Sequence, residues 1–198
     1  MDFETYFLSS DFLENGNPKQ KRLHRDLSEH KILERISKFD PVLAGTIPLD
    51  IDHPASDADI LCCFKTPEEF SSVLESAFSD FLNFELKEGQ HQGIPSVLAR
   101  FQTKEFSYEV FGQNLPIVEQ MGFVHLQVEH KILCIAGENF KNRIRVLKNE
   151  GWKTEPAFAH LLGIQESPYH ALYDMRLFSD QDLRNFVFSS EFFSNSDK

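Results

Sequence analysis

Residues 45–60 read GTIPLDIDHPASDADI, and the two ends of this stretch decide how the chain is understood. Gly45 and Thr46 close the apolar run Val42, Leu43, Ala44; residues 47–56 intervene; then Asp57 and Asp59 alternate with Ala58 and Ile60. Successive residues of a strand point to opposite faces, so Asp57 and Asp59 project together while Ala58 and Ile60 point the other way. Two like charges confined to one small volume repel, and burial penalises both, so the arrangement calls for something positive between them. Carboxylate oxygens suit a hard divalent cation such as Mg2+, which takes one or two protein carboxylates and keeps its other positions for water and phosphate.

The flanks agree with that reading. Pro41 stops a preceding helix, Val42 to Ala44 make a first strand, and Gly45 permits the close backbone approach that a phosphate requires. Thr46 and Ser56 carry hydroxyls able to donate to phosphate oxygens. Pro48 and Pro54 exclude a long helix between them, leaving a loop or one short turn. Taken alone, Gly45-Thr46 is an ordinary strand-ending turn; joined to Asp57 and Asp59 it becomes a candidate phosphate turn. Residues 57–64, DADILCCF, form the next strand, whose apolar second half fits burial on both faces. A helix over 67–82 follows, with Pro67, Glu68 and Glu69 in its first turn. Its stripe of Phe70, Val73, Leu74, Ala77, Phe78 and Phe81 is core. Strand segments are predicted at 83–87, 94–101 and 105–112, with breaks at Glu88-Gly89 and Thr103-Lys104, the last short enough for an antiparallel hairpin. Alternation in FSYEVFG sets Ser107, Glu109 and Phe111 on one face and Phe106, Tyr108 and Val110 on the other. On its own, Glu109 reads as a solvent-facing glutamate.

LAGT at 43–46, the gap, and SDADI at 56–60 resemble the signature of the polymerase beta-like nucleotidyltransferase superfamily. That signature is an apolar residue, Gly, then Ser or Gly, a gap, and Asp, apolar, Asp or Glu, apolar. Thr46 departs from the usual Ser or Gly but keeps the hydroxyl. GTIPLDID and GWKTEPAFAHLLGI (151–164) also resemble a little-characterised bacterial branch known as a domain of unknown function. The superfamily motif covers about residues 42–112; the branch resemblance covers most of the chain. In the superfamily a third carboxylate sits on a later, neighbouring strand, and Glu109 is a sharper candidate for it than Glu105 near the turn. The resemblance implies that Asp57 and Asp59 hold Mg2+ (or Mn2+) against a nucleoside triphosphate, and that all three carboxylates bind the ion that activates the acceptor. Gly45, Thr46 and Ser56 would steady the phosphates. The implied reaction moves a nucleoside monophosphate to the hydroxyl of a small molecule or protein and releases pyrophosphate.

A chain of 198 residues fits one domain, or a compact catalytic domain with a helical extension, and buries about 70% of its unfolded surface. Cys62, Cys63 and Cys134 form no CxxC pair and read as reduced core residues of a cytosolic protein. The N-terminus MDFETYFLSSDF has no basic leader, and no apolar run of about 18 residues is present to span a bilayer. The expectation is a soluble, cytoplasmic protein with no membrane association. A formal net charge of -11 argues against wrapping a long nucleic acid, because such binding neutralises phosphates with Lys and Arg. A small or cationic acceptor, or a protein, is more compatible. Twenty phenylalanines point to an aromatic core.

A short helix is expected over 3–14, ended by Asn15-Gly16-Asn17. A second runs from Pro18 to about Lys38 and buries Leu23, Leu27, Ile32, Leu33 and Ile36. Its basic cluster Lys19, Lys21, Arg22 and Arg25 is either a phosphate contact or, as Asp26, Glu29 and Glu34 favour, a solvated face. Beyond Gly112 the pattern is helical: 116–136, 138–150, 155–163, 168–176 and 179–188, with SNSDK at the end expected to fray. His125 and Glu129 stand one turn apart, a spacing open to metal binding or acid-base work but more often met in packing. Arg143, Arg145, Lys148 and Lys153 are candidate triphosphate counter-charges. The expected fold is α/β (α+β): a mixed sheet flanked by helices in residues 1–115, with a helical part in 116–198 packed as one unit with it. The competing function is a non-catalytic nucleotide-binding or regulatory module, or an interaction protein whose acidic surface meets a basic partner.

Overall fold

A computed structural model describes residues 3–194; the end of the SNSDK tail, residues 195–198, lies outside them. The chain divides into two units, Met1–Asp50 with Ala55–Phe123, and Ile51–Pro54 with Val124–Lys198. The first opens with α1 (Phe3–Leu8), a 3-10 turn at Asp11–Asn15 and α2 (Pro18–Glu29). The single helix expected over 3–14 is broken at the serines, where Ser9 Oγ accepts the Asp11 amide at 3.1 Å. Asn17 caps α2 reciprocally: its side chain accepts the Gln20 amide at 2.8 Å and Gln20 Oε1 accepts the Asn17 amide at 2.9 Å. With Pro18 in the first turn, this fixes the helix start. The helix expected to continue to Lys38 instead ends at Glu29, breaks at Lys31, whose φ of 53° is left-handed, and resumes as α3 (Ile32–Arg35) and a 3-10 turn at Ser37–Phe39. The change of direction lets Ile32, Ile36 and Phe39 all bury in the core.

The sheet is built from β1 (Val42–Ala44), β2 (Ala58–Cys63), β3 (Leu82–His91), β4 (Ile94–Gln102) and β5 (Ser107–Gln113), with the one-turn helix α4 (Thr46–Leu49) after β1 and α5 (Pro67–Phe78) after β2. Strand order is β1-β2-β5-β4-β3. Only β2 and β5 run parallel; β1-β2, β5-β4 and β4-β3 are antiparallel. The break expected at Glu88-Gly89 is absent, since Gly89 pairs with Ser96 inside β3. The chain turns instead at Gln92-Gly93, both with positive φ (53° and 77°), the conformation that matches the twist of a two-residue hairpin.

Helices α2 and α5 cover the sheet face that carries Ala58, Ile60, Phe101, Tyr108 and Val110, all within one hydrophobic cluster with Leu23, Leu27, Phe70, Leu74 and Phe78. Phe78 stacks on Phe101 (centroids 4.3 Å apart) and Phe101 on Tyr108 (5.1 Å). Asp26, expected on the solvated side of α2, is buried and accepts hydrogen bonds from Tyr108 Oη at 2.6 Å and Thr103 Oγ1 at 2.9 Å. A buried carboxylate needs such partners, and these fasten α2 to the β4-β5 hairpin. Burial, then the Asp26 carboxylate, push the Tyr108 hydroxyl far above the usual phenol range. The basic residues Lys21, Arg22 and Arg25 stay exposed on the opposite side of α2.

The second unit takes most of α6 (Met121–Asn149), then α7 (Thr154–Leu162), α8 (Pro168–Asp174), α9 (Asp180–Ser189) and α10 (Glu191–Ser194). Gly137, at φ 79° and ψ -173°, breaks α6 into two helical lengths, at the boundary between the two helices expected there. Phe140 packs edge-on against Phe158 and Phe192. His125 and Glu129 are both buried. His125 Nδ1 lies 3.2 Å from Glu155 Oε1 and Nε2 lies 2.9 Å from the Tyr169 carbonyl. Lys148, also buried, donates to Thr154 Oγ1 at 2.9 Å, which takes it out of the set of candidate phosphate counter-charges. The pair one turn apart is therefore part of a packing network that ties α6 to α7 and α8. Burial drives the Glu129 carboxyl well above the carboxylate range, and the Glu155 charge adds to that while Lys148 opposes it. Burial also raises Glu155, but His125, its own backbone amide and Lys148 outweigh it and bring that carboxyl below the ordinary range.

Cys62 is buried, and burial pushes its thiol far up; Cys63 is half-buried, while Cys134, expected in the core, is exposed with its Sγ 3.4 Å from His130 Nε2. No helix among the described residues is long and apolar enough to cross a membrane.

Tyr108→Phe removes a hydrogen bond to a buried carboxylate and is expected to cost about 1.5–3 kcal/mol in chemical denaturation; an unchanged midpoint would show that Asp26 is satisfied without Tyr108. Glu129→Gln replaces an acid whose ionisation burial opposes. Because the folded form resists ionisation, the natural chain loses stability as pH rises above about 4.5, the ordinary value for the group, and the glutamine chain does not. The variant should therefore match the natural chain in acid and exceed its Tm by a margin that widens towards neutral pH. A margin independent of pH would contradict this.

Candidate functional site

The sheet face opposite α2 and α5 carries a polar row set by strand register. Ala44 pairs with Asp59, Asp59 with Glu109, Glu109 with Arg100, and Arg100 with Glu85. Paired residues in a sheet project to the same side about 5 Å apart, so Asp59 and Glu109 stand side by side across the parallel β2-β5 pair. Asp57 lies one residue before β2 and two before Asp59, on the same side and exposed. Asp59 and Glu109 are half-buried. Glu105 stands before β5 in the turn region, exposed, with its carboxylate 3.7 Å from Arg22; it is not part of the row.

Gly45 is built into this row. Its φ of 73° and ψ of -153° fall where essentially only glycine is found. A Cβ placed on it would lie 1.9 Å from Asp59 Oδ2. The absence of a side chain thus lets the turn after β1 close directly over the Asp59 carboxylate. Thr46, buried, and Ser56, half-buried, meet across the intervening loop with Thr46 Oγ1 donating to Ser56 Oγ at 3.4 Å. Gly45, Thr46 and Ser56 therefore gather beside the strand that bears Asp59, while the loop's one helical turn, α4, agrees with the constraint set by Pro48 and Pro54.

Arg100 is the site residue that the sequence reading did not single out. Its Nε and Nη2 lie 2.8 Å and 2.6 Å from Glu109 Oε2, a charge-assisted contact of short, strong geometry. The signal was present: the hairpin register that pairs Gln102 with Ser107 pairs Arg100 with Glu109 one step along on the same face. Asp57, Asn83, Glu85, Arg100, Gln102 and Ser107 line a hollow of about 200 Å3 beside the row. Asn83 Nδ2 donates to Gln102 Oε1 at 2.8 Å, and Gln102 Nε2 to Ser107 Oγ at 3.2 Å.

Among the described residues, no three His, Cys, Asp or Glu side chains converge closely enough to grip an ion as they stand. The donor chemistry nonetheless suits a hard cation: two aspartates two residues apart on one face, and a glutamate in register with the second, offer only carboxylate oxygens. The Glu109 carboxylate is engaged by Arg100.

Residues 25–175 match the family described as "Domain of unknown function (DUF4269)". No curated protein matches the chain. Among solved structures, the chain is similar to the Cid1 poly(U) polymerase with MgGTP bound, at 14% identity and a TM-score of 0.51, covering 82% of this chain and 53% of that one. A mutant of that polymerase bound to MgATP gives 15% identity, a TM-score of 0.51 and the same coverage. A cytoplasmic RNA terminal U-transferase gives 16% identity and a TM-score of 0.50, covering 82% and 51%. The chain spans about half the length of these structures. At such identities the likeness is one of fold: a mixed sheet flanked by helices, of the nucleotidyltransferase type.

Gly45→Ala forces either the turn or the Asp59 carboxylate to move. The expected result is a loss of about 1–3 kcal/mol, seen as a lower unfolding midpoint; a midpoint equal to that of the natural chain would mean that the turn is not held against Asp59.

Proposed function

The chain belongs to the DUF4269 family, and from its carboxylate row we propose that it is a metal-dependent nucleotidyltransferase that transfers a nucleoside monophosphate from a nucleoside triphosphate to an acceptor hydroxyl. The observation that carries the proposal is the register that sets Glu109 beside Asp59, with Gly45 closed against the same aspartate. The fold shared with triphosphate-bound polymerases supports it.

In this reading Asp57, Asp59 and Glu109 hold the divalent cation, Mg2+ or Mn2+. When bound, the cation neutralises the triphosphate and makes the acceptor hydroxyl more acidic. Thr46 and Ser56 donate hydroxyl hydrogens to phosphate oxygens, and Gly45 gives the phosphate chain room against the backbone. Glu109, or else Asp59, accepts the proton of the acceptor hydroxyl as its oxygen attacks the α-phosphorus. The new oxygen–phosphorus bond forms, the bond to the bridging oxygen breaks, and pyrophosphate leaves with the bonding electrons. The acidic balance of the chain suits a small or cationic acceptor, or a protein, better than a long nucleic acid; reduced thiols suit the cytoplasm.

One observation favours a second reading: Arg100 already neutralises Glu109. A site locked in that way would bind nucleotide without transferring it. The two readings separate in a screen of the four nucleoside triphosphates with Mg2+ or Mn2+, measuring thermal stabilisation and pyrophosphate release together. The transferase releases pyrophosphate, and Asp57→Asn and Asp59→Asn each lower that release by several orders of magnitude while leaving the fold intact. Stabilisation without release would establish the binding module, and no response to any triphosphate would sink both.

A further inference from the structure

Arg100 sits between two carboxylates. Its cross-strand partner on β5 is Glu109 and on β3 is Glu85, so one guanidinium has an acid within reach on either side. In the structure it serves Glu109, with both contacts made to the one oxygen Oε2, while Glu85 Oε2 takes Lys87 Nζ at 3.0 Å. The Arg100 and Glu109 side chains are 45% and 30% exposed, so solvent screens the pair and it can exchange. The hollow that both Arg100 and Glu85 line gives the side chain room to swing.

We infer that Arg100 is a positioning residue that toggles between Glu109 and Glu85, holding the Glu109 carboxylate until a divalent cation displaces it and then resting on Glu85. The inference rests on the proposed cation role of Asp57, Asp59 and Glu109. A cation on Glu109 would stand beside the guanidinium that holds the same carboxylate, and the two positive charges repel, so cation and Arg100 compete. The competition stops Glu109 from adding an uncompensated negative charge next to Asp59 when the cation is absent. Glu85 makes release of Arg100 easier because the guanidinium moves from one carboxylate to another and not simply to water. The state of the row thereby reports whether the cation is in place, without any change in the fold.

The test is Mn2+ binding to the full chain, without nucleotide, followed by the electron paramagnetic resonance of free Mn2+. Arg100→Gln should bind about two- to fivefold more tightly than the natural chain, as expected for removing a half-exposed competing pair, and Arg100→Lys should fall between the two. Glu85→Gln should weaken binding when Arg100 is present and leave it unchanged in an Arg100→Gln background. That non-additivity marks a toggle, because a simple loss of negative charge would weaken binding equally in both backgrounds. In parallel, Mg2+ should shift the NMR signal of the Arg100 Nε–H group in the natural chain but not in Asp59→Asn. Equal effects of Glu85→Gln in both backgrounds, or no tightening in Arg100→Gln, overturn the toggle alone. Absence of Mn2+ uptake even by Arg100→Gln overturns the cation site and the toggle together.

Discussion

The parallel hydrogen-bonded pairing of β2 with β5 is the constraint on which everything else at the site depends. It is the one parallel contact in the sheet, and chain segments from α5 through β4 intervene between the two strands. Its register is held from the far side. Tyr108, next to Glu109, stacks on Phe101 and hydrogen-bonds the buried Asp26 of α2. A slip of one residue would send Tyr108 and Val110 out of the core and Glu109 into it. Core packing on one face therefore dictates which acids meet on the other.

The polar face is arranged so that charge is offset locally. Along the row Asp59, Glu109, Arg100 and Glu85 follow one another, and the single cation falls between acids. Gly45 completes the arrangement from the other edge, since a backbone without a side chain approaches Asp59 where any methyl would collide. The same feature that gives the turn its conformation thus gives the carboxylate its close wall.

The buried acid whose ionisation is most opposed belongs to the second unit and owes its state to burial. Burial opposes the ionisation of Glu129, whereas His125, the backbone and Lys148 favour that of Glu155. Strongly shifted groups often mark catalytic sites, but Glu129 and Glu155 belong to the packed network of the second unit. The distinction is physical: Asp59 and Glu109 are half-exposed and reach solvent, whereas Glu129 is buried.

Most of the element order was legible in the sequence because local periodicity and turn chemistry are local properties. The strand at Val42–Ala44, the lack of a long helix between Pro48 and Pro54, the stripe of α5, the break at Gly137 and the opposed faces of β5 all follow from spacing within a few residues. What the sequence by itself determined about the site is which side of its own strand each acid takes. Which strands become neighbours, and in which register, depends on long-range hydrogen bonding and on the packing beneath. Only the tertiary structure therefore decided that Glu109 stands beside Asp59, that Arg100 holds Glu109, that Asp26 turns inward to Tyr108, and that Lys148 and Glu129 are spent on the second unit's interior. A side chain's face is written in its neighbours along the chain; its partner is written in the strand that happens to lie alongside.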